Sequence, residues 1–246
     1  MSTLPSDTAV VDIDPAVLDI LREVSSATLA TQLFRRGLRH QYLVGISALG
    51  PVAGRVVGEA FTMRFIPARE DLETLESLPG TANLQWQAVE QIGPGQIMLV
   101  DSMGSIAAAT AGDMLVARAM HRGALAFITD GAFRDGAEIA ELAIPTFSKA
   151  VTSTSRLSSF HVADLQVPIA CAGVAVYPGD IVVCDADGVI VVPRHLAAEI
   201  AGPALEQEKL EHYLHTRVHG GEALWGVYPP NEQTLADYRA WQGAAS

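Results

Sequence analysis

The chain is predicted to fold as an α/β protein, and two stretches of sequence carry this prediction. Gly112-Asp113 opens an apparent helix that runs through Arg122, and Gly123 then separates this helix from an apolar strand, Ala124 to Thr129. A helix that leads directly into a strand is a unit from which α/β folds are built. The second stretch, Val167 to Val192, is rich in strand-forming residues and turns.

Helices and strands also alternate before this unit. Apolar residues near helical spacing predict two short helices within Pro15–Arg36, broken around Ser25 and Ser26 and ended by Gly37. A strand-rich stretch interrupted by a glycine, a helix, and a short strand that ends in an acid then follow. These are Gly54–Pro67 with Gly58 inside it, Gly80–Ile92, and Ile97–Asp101, whose terminal acid we expect to face a cleft.

The last third is predicted to contain a hairpin and a long helix. Ile181–Cys184 and Val189–Val192 flank the turn Asp185–Gly188, which is typical of a β-hairpin. After Pro193 a helical pattern runs to about His219, and an aromatic tail containing prolines follows.

Composition favours one domain that spans residues 1–246. Hydrophobic residues make up 49% of the chain and charged residues 18%, without a long polar tract, so the apolar surface suffices for a core. No apolar run reaches the roughly 18 residues of a membrane span, and the N-terminus lacks a signal-peptide pattern. We therefore expect a cytoplasmic protein that makes no membrane contact.

Charge and cysteine usage exclude further classes. The formal net charge is -12, and the 14 arginines and two lysines are scattered, which argues against nucleic-acid binding. Cys171 and Cys184 lie in apolar, strand-like surroundings without CxxC spacing, so we expect two buried thiols rather than a disulfide or a zinc site.

The candidate site combines a helix start with a loop that follows a strand. At Gly112–Leu115 the first backbone N–H groups of the helix are free to hold an anion such as a carboxylate. Arg134 and Asp135 are expected in the loop just beyond the strand Ala124–Thr129, where open α/β sheets place ligands. The Arg134 guanidinium suits a carboxylate or enolate oxygen, and the Asp135 carboxylate suits Mg²⁺ or Mn²⁺. The alternative is a local ion pair that caps a turn.

These residues resemble one known family. Gly112-Asp113-Met114-Leu115, Gly131, Arg134-Asp135 and Glu138 match its glycine, spacer and Arg-Asp-x-x-acid pattern. Further landmarks occur in the family's order from about residue 17 to 205: Ser26–Thr28, Gly54–Gly58, Ala60–Thr62, Tyr177–Asp180 and Asp185–Pro193. The family joins class II pyruvate aldolases, which act on 4-hydroxy-4-methyl-2-oxoglutarate or 4-carboxy-4-hydroxy-2-oxoadipate, with the regulator of ribonuclease activity A.

The resemblance implies the architecture and the assembly. The fold would be a swivelling β/β/α sandwich with flanking N- and C-terminal helices. Its core would cover about residues 17–205, followed by a C-terminal helix and tail over 206–246. Such proteins form homotrimers, sometimes paired into hexamers, with sites near subunit boundaries. A glutamate from a neighbour's C-terminal helix is also implied, and Glu206, Glu208 and Glu211 are its candidates.

The resemblance also implies a role for each site residue. The backbone of Gly112, Asp113, Met114 and Leu115 would bind the carboxylate of a 2-oxo acid, Arg134 would contact its carbonyl oxygen, and Asp135 would ligate a divalent metal, Mg²⁺ or Mn²⁺. Asp113 would act through water held by that metal. The implied activity is cleavage of a 4-hydroxy-2-oxo acid to pyruvate and a carbonyl product, with oxaloacetate decarboxylation as a side activity.

Three other interpretations stay open. A Schiff-base lyase would need a lysine, and Lys149 is its realistic candidate. His212, His215 and His219 share one helical face, a spacing that can bind zinc, although no cysteine completes the set. Finally, an acidic, non-catalytic regulator would bind a ribonuclease or its partner proteins.

Overall fold

The computed structural model describes residues 12–71, 73–77 and 80–244, and within them it contains seven α-helices and thirteen β-strands. The helices are α1 (Pro15–Arg22), α2 (Ser26–Arg35), α3 (Leu84–Gln91), α4 (Asp113–His121), α5 (Gly136–Ala140), α6 (Ala197–His219) and α7 (Glu232–Ala244). The strands are β1 (Ser47–Ala48), β2 (Val56–Pro67), β3 (Gln96–Asp101), β4 (Ala109–Ala111), β5 (Ala126–Thr129), β6 (Ala132–Phe133), β7 (Thr146–Ser148), β8 (Ala150–Val151), β9 (Phe160–Leu165), β10 (Ile169–Cys171), β11 (Val174–Val176), β12 (Ile181–Cys184) and β13 (Val189–Val192).

The main sheet is mixed, and its order is β1-β7-β5-β3-β2-β12-β13, with β9 also paired to β2. Strands β2, β3, β5 and β7 are parallel, whereas β1, β9, β12 and β13 join antiparallel. Strands β5, β12 and β13 are buried along their whole length, which agrees with their continuous apolar sequences. The predicted α/β class with flanking terminal helices is therefore confirmed.

Two groups of helices cover one face of this sheet. Helices α3 and α4 contribute Ala88, Val89, Val116 and Ala119 to a core cluster that also contains the edge-to-face pair of β5 and β6 phenylalanines. Helices α1, α2 and α6 pack on the β12–β13 hairpin. Both groups lie on the same face of the sheet, because the alternate β2 residues Val57 and Phe61 belong to the second and the first cluster.

A second, three-stranded sheet positions the candidate site. Its order is β4-β6-β8, and all three strands are parallel. Their carboxyl ends therefore meet at one edge. Gly112 follows β4 there, and Arg134-Asp135 follows β6.

Three of the helices have an N-cap residue whose side chain accepts a hydrogen bond from a backbone N–H group of the first turn. Asp14 accepts from Ala16, Ser25 accepts from Thr28, and Asn83 accepts from two N–H groups at the start of α3. Asp and Ser are preferred at this position because their oxygens satisfy otherwise free donors. The predicted break between the two N-terminal helices at Ser25 and Ser26 is confirmed.

Other local predictions need correction. Gly58 does not interrupt β2, which runs unbroken for 12 residues. The glycine is instead required by packing, because a Cβ on Gly58 would lie 2.7 Å from the carbonyl oxygen of Gly95. Helix α3 begins at Leu84 rather than Gly80. The proposed boundary between residues 205 and 206 falls inside the continuous helix α6.

None of the helices in the described ranges is long and apolar enough to cross a membrane. Both cysteines are buried and free, as predicted.

Candidate functional site

The small sheet brings the predicted residues of β4 and β6 together. The N–H of Arg134 donates to the carbonyl oxygen of Ala111 at 2.9 Å, which sets the end of β6 beside the end of β4. A Cβ atom on Gly112 would lie 2.8 Å from Oδ2 of Asp135 and 3.7 Å from Cβ of Arg134. The Asp135 carboxylate therefore occupies the space that the missing side chain of Gly112 leaves open.

The connection to Arg134 differs from the expected one. We predicted a loop directly after the strand 124–129, but the chain first forms β6, which belongs to the small sheet. Asp135 then precedes helix α5. Strand β6 has two residues and β4 has three, so neither gives a pattern that a sequence window detects.

The start of α4 presents free donors beside this carboxylate. Gly112 precedes the helix without a side-chain cap, and its carbonyl oxygen accepts from the N–H groups of Leu115 and Val116, both at 3.2 Å. Within the described residues, the N–H groups of Asp113 and Met114 donate to no acceptor. Free N–H groups and the helix dipole together favour an anion. Asp113 is half-buried, Met114 is exposed, and Leu115 packs against the core.

Asp135 is held in an unusual backbone conformation. Its φ of 56° and ψ of 43° are left-handed, a region that aspartate enters more readily than most residues. Its side chain makes no hydrogen bond to the start of α5. Arg134 Nε lies 3.7 Å from Oδ2 of Asp135, a loose ion pair beyond hydrogen-bond length, and the two side chains are 46% and 34% exposed. Arg134 and Asp135 thus form a local ion pair, but the Asp135 carboxylate does not cap helix α5.

This donor set fits magnesium or manganese better than zinc. No group of three or more His, Cys, Asp or Glu side chains in the described residues is arranged to hold a metal ion. Mg²⁺ commonly binds through one or two carboxylates and keeps several waters. Asp135 offers one partly exposed carboxylate whose oxygens accept no hydrogen bond from the described residues, so the site matches that mode.

A buried glutamine that sequence reasoning missed supports β4. Gln85 of α3 is 5% exposed, and its Nε2 donates to the carbonyl oxygen of Thr110 at 2.5 Å. Thr110 Oγ1 in turn donates to the carbonyl oxygen of Ala132 at 3.1 Å. These bonds tie α3, β4 and β6 together directly before Gly112 and Arg134. A polar residue within the predicted helix Gly80–Ile92 was the available signal.

The acid at the end of β3 is buried, whereas we expected it to face a cleft. Asp101 is buried and accepts from the N–H groups of Met103 and Ala170 at 2.8 and 3.1 Å. Burial raises its pKa, the two hydrogen bonds oppose that shift, and the charge of Asp130 adds to it. Asp130 is also buried and accepts from the N–H groups of Ser102 and Gly104. Both acids brace a loop.

Lys149 lies at the other end of the small sheet from Gly112. Its N–H donates to the carbonyl oxygen of Gly131, which precedes β6, and its Nζ donates to the carbonyl oxygen of Gly104 at 3.2 Å. The strands of this sheet separate Lys149 from Arg134 and Asp135. The geometry therefore gives no support to a Schiff-base site at Lys149 that includes them.

The three glutamates of α6 have different environments. Glu208 accepts from Ser25 and Thr28 hydroxyls at 3.0 and 2.6 Å and pairs with Arg55 at 2.9 Å. Glu208 is thus engaged within its own chain. Glu206 pairs with Lys209 at 2.7 Å, and Glu211 accepts from Gln207 at 2.8 Å.

The three histidines of α6 are exposed. The rings of His215 and His219 stack with centroids 3.9 Å apart, and His212 and His215 line one groove. Over the described part of the chain, no third ligand joins the stacked pair to complete a metal site.

The fold and the site define an α/β protein with an anion-binding helix start beside a partly exposed carboxylate. Comparison with known proteins identifies its family. Residues 15–191 match the model of the RraA-like family, described as Aldolase/RraA. The chain belongs to this family. RraAS2 of Streptomyces coelicolor, described as an unusual member of the RNase ES inhibitor RraA protein family, has a similar fold. The two share 34% identity and a TM-score of 0.74 over 83% of this chain and 98% of that one.

Curated relatives include proteins named as aldolases. A putative 4-hydroxy-4-methyl-2-oxoglutarate aldolase of Halalkalibacterium halodurans is 35% identical over 108 residues, 44% of this chain and 51% of that protein. The 4-hydroxy-4-methyl-2-oxoglutarate aldolase of Thermus thermophilus is 31% identical over 108 residues, 44% of this chain and 65% of that protein. These matches span only about half to two thirds of each relative. The predicted family is confirmed, and it includes both aldolases and ribonuclease inhibitors.

Proposed function

We propose that this protein is a carbon–carbon lyase that cleaves a 4-hydroxy-2-oxo acid to pyruvate and a carbonyl compound, with Mg²⁺ or Mn²⁺ held by Asp135. One observation carries the proposal. The Asp135 carboxylate lies within the space that Gly112 leaves open, directly beside the free N–H groups at the start of α4. An acid ligand and an anion cradle are thus adjacent.

The substrate's carboxylate is expected to bind the N–H groups of Asp113 and Met114, where the helix dipole favours negative charge. This contact places its 2-oxo group near Arg134. The planar guanidinium donates to the carbonyl oxygen and stabilises the negative charge that develops there as the bond between C3 and C4 breaks. A bound divalent ion would supply further Lewis-acid stabilisation of that charge.

Asp113 is the proposed proton carrier. It is the first residue of α4, is half-buried, and follows Gly112 directly. Its carboxylate would accept the proton of the substrate's 4-hydroxyl, directly or through water, and return a proton to C3 of the enolate. Loss of CO₂ from oxaloacetate leaves the same pyruvate enolate, so we propose oxaloacetate decarboxylation as a side activity.

The test is pyruvate release from oxaloacetate and several 4-hydroxy-2-oxo acids, with Mg²⁺ or Mn²⁺ and after chelation. Asp135→Asn is expected to remove both metal binding and turnover, because the amide lacks the ligand charge. Asp164→Asn makes the same change at an exposed ion pair of β9 and is the control. Wild-type activity in Asp135→Asn would contradict the proposal.

A second pair of variants tests the arginine. Arg134→Lys is expected to keep metal affinity and lose most of the turnover, because one ammonium cannot replace the planar fork of donors. Arg118→Lys, at an exposed pair with Glu90, is the matched control on α4. Equal turnover in Arg134→Lys and the wild type would exclude the assigned role.

A regulator that binds a ribonuclease or its partner proteins is the second candidate. The likeness to RraAS2 over most of both chains and the net charge of -12 favour it. A protein with this function alone would show no metal-dependent turnover and would retain a ribonuclease partner in pull-down.

Assembly and location stay predictions. We propose a homotrimer or a hexamer, which light scattering on the full chain would distinguish from a monomer. We likewise propose a cytoplasmic location and no nucleic-acid or membrane partner.

A further inference from the structure

The hydrogen bond between Gln85 and Thr110 connects a buried helix to the strand that leads into the candidate site. Gln85 lies in the first turn of α3 and is 5% exposed, and its Nε2 donates to the carbonyl oxygen of Thr110 at 2.5 Å. Thr110 is the middle residue of β4, two residues before Gly112. A buried amide on α3 thus holds the strand that ends at the free N–H groups of α4.

Thr110 extends this restraint to the neighbouring strand. Its Oγ1 donates to the carbonyl oxygen of Ala132 at 3.1 Å, and Ala132 lies two residues before Arg134. The N–H of Arg134 in turn donates to the carbonyl oxygen of Ala111 at 2.9 Å, which links the two segments a second time. One residue of β4 therefore connects α3 to both halves of the site.

Helix α3 is a firm support for this chain of bonds. Asn83 caps its start by accepting from the N–H of Gln85 at 3.0 Å. Ala88 and Val89 of the same helix are buried in the core cluster that also contains Ala111. Because close packing fixes the helix, the Gln85 amide has little freedom to follow a strand that moves.

The site tolerates little movement of β4. Oδ2 of Asp135 lies 2.8 Å from the position that a Cβ of Gly112 would take, so the two segments are already in close contact. Gly112 is extended, with a φ of −116° and a ψ of −178°, and an extended chain has no slack to absorb a shift along its axis. A misplacement of about 1 Å near the chemistry costs about a hundredfold in rate.

Building on the proposed function, we propose that Gln85 is a positioning residue of the lyase site. By holding β4 against β6, it sets the separation between the anion-binding start of α4 and the Arg134–Asp135 pair. Without the amide, the carbonyl group of Thr110 loses a buried donor, and β4 moves to satisfy it elsewhere. Gln85 contacts neither the substrate nor the metal, so its effect on both passes through Thr110.

Removal of the donor at nearly constant side-chain length tests this role. Gln85→Met is expected to weaken Mn²⁺ binding and to lower kcat/KM for pyruvate release, each at least about tenfold. Gln87→Met is the matched control on α3, because the Gln87 amide also donates to a backbone carbonyl oxygen, that of Thr81 at 2.7 Å, but not to β4. Wild-type affinity and turnover in folded Gln85→Met would overturn the proposal.

A titratable donor at the same position separates positioning from a purely structural role. In Gln85→Glu the protonated carboxyl can donate to Thr110, whereas the ionised form can only accept and is repelled by the carbonyl oxygen. Burial favours the protonated form. The deficit in Mn²⁺ affinity, relative to wild type at the same pH, should therefore shrink at least about threefold from about pH 8 to about pH 5.5. In Gln85→Met the deficit should not depend on pH, and a pH-independent deficit in Gln85→Glu would refute the hydrogen bond as the cause.

Hydrogen exchange separates this proposal from the proposed function. The N–H of Arg134 donates to Ala111, so its exchange rate reports the contact between β4 and β6 whether or not a metal binds. Gln85→Met should speed this exchange at least about tenfold, and Gln87→Met should leave it unchanged. If the wild type releases no pyruvate, the lyase is refuted, and faster exchange in Gln85→Met still supports the positioning by Gln85. Unchanged exchange in Gln85→Met would overturn the positioning, whatever the turnover.

Discussion

Adding one methyl group at Gly112 is expected to disable the site without unfolding the protein. The Cβ of Gly112→Ala would lie 2.8 Å from Oδ2 of Asp135, whereas ordinary contacts of this kind begin at 3.4 Å. The carboxylate must therefore move by about 0.6 Å, the difference between these two distances. Metal sites hold their ligands to within about 0.2 Å, and a displacement of about 1 Å near the chemistry costs about a hundredfold in rate.

The fold should tolerate the same change. Gly112 has a φ of −116° and a ψ of −178°, which is extended backbone open to alanine. The atom it meets is the end of a partly exposed side chain, and alanine replaces glycine before a helix at a cost of about 0.5 kcal/mol. We expect stability within about 1 kcal/mol of wild type, with Mn²⁺ affinity and turnover reduced at least about tenfold.

Manganese titration by calorimetry, pyruvate release and urea unfolding measure the three quantities. Gly202→Ala is the control, because a Cβ there meets nothing within 4 Å and the residue lies inside α6, where alanine is favoured. Gly112→Ala with wild-type manganese affinity would refute the assignment of Asp135. A loss of stability of several kcal/mol would refute the claim that only the carboxylate moves.

Three further predictions concern the rest of the fold. Gly58→Ala should lose about 1–3 kcal/mol of unfolding free energy in urea, because its Cβ would meet a backbone carbonyl oxygen that cannot yield. Cys171 and Cys184 should react with a thiol reagent only on unfolding, since burial raises the pKa of both thiols; fast labelling of the folded protein would contradict this. Burial raises the pKa of Glu73, but its contacts with His161 and Arg156 lower that pKa overall. The ionised Glu73 side chain therefore stabilises the folded protein fully at pH values above its ordinary pKa of 4.5. The stability gap between wild type and Glu73→Gln should close as pH falls through the lowered pKa, and a gap independent of pH would contradict it.

Long apolar patterns made much of the fold predictable. The β12–β13 hairpin was clear because two buried strands flank a tight Asp-containing turn. Gly37 marked the end of α2 and Ser25 marked its start, each through its local conformational preferences. Helix α6 was found despite its internal proline, since its pattern continues on both sides.

The small sheet was not predictable, because its strands have two or three residues each. That sheet sets Gly112 against Asp135, so the sequence pattern suggested the site residues without showing how they meet. The left-handed backbone of Asp135 gives no sequence signal either, as it results from the turn between β6 and α5. The role of Gly58 was misjudged for a related reason, because the close approach of Gly95 is a tertiary contact.

Asp185 and Asp135 both lie at turns, and comparing them indicates whether the Asp135 side chain stabilises the fold or is free to bind a ligand. Asp185 is buried and accepts from Ser26 N and Oγ at 2.7 and 2.9 Å, and also from the N–H groups of two residues of its own turn. Asp135 accepts from none within the described residues and has only the loose pair with Arg134.

The same substitution should therefore have opposite effects at these two positions. Asp185→Asn loses charge-assisted acceptors and should cost about 2 kcal/mol of unfolding free energy, yet the folded protein should keep its manganese affinity. Asp135→Asn should leave stability within about 0.5 kcal/mol, because asparagine also tolerates a left-handed backbone, and should lose the metal. If Asp135→Asn destabilises the chain as much as Asp185→Asn does, the Asp135 carboxylate serves the fold, and the metal site loses its main support.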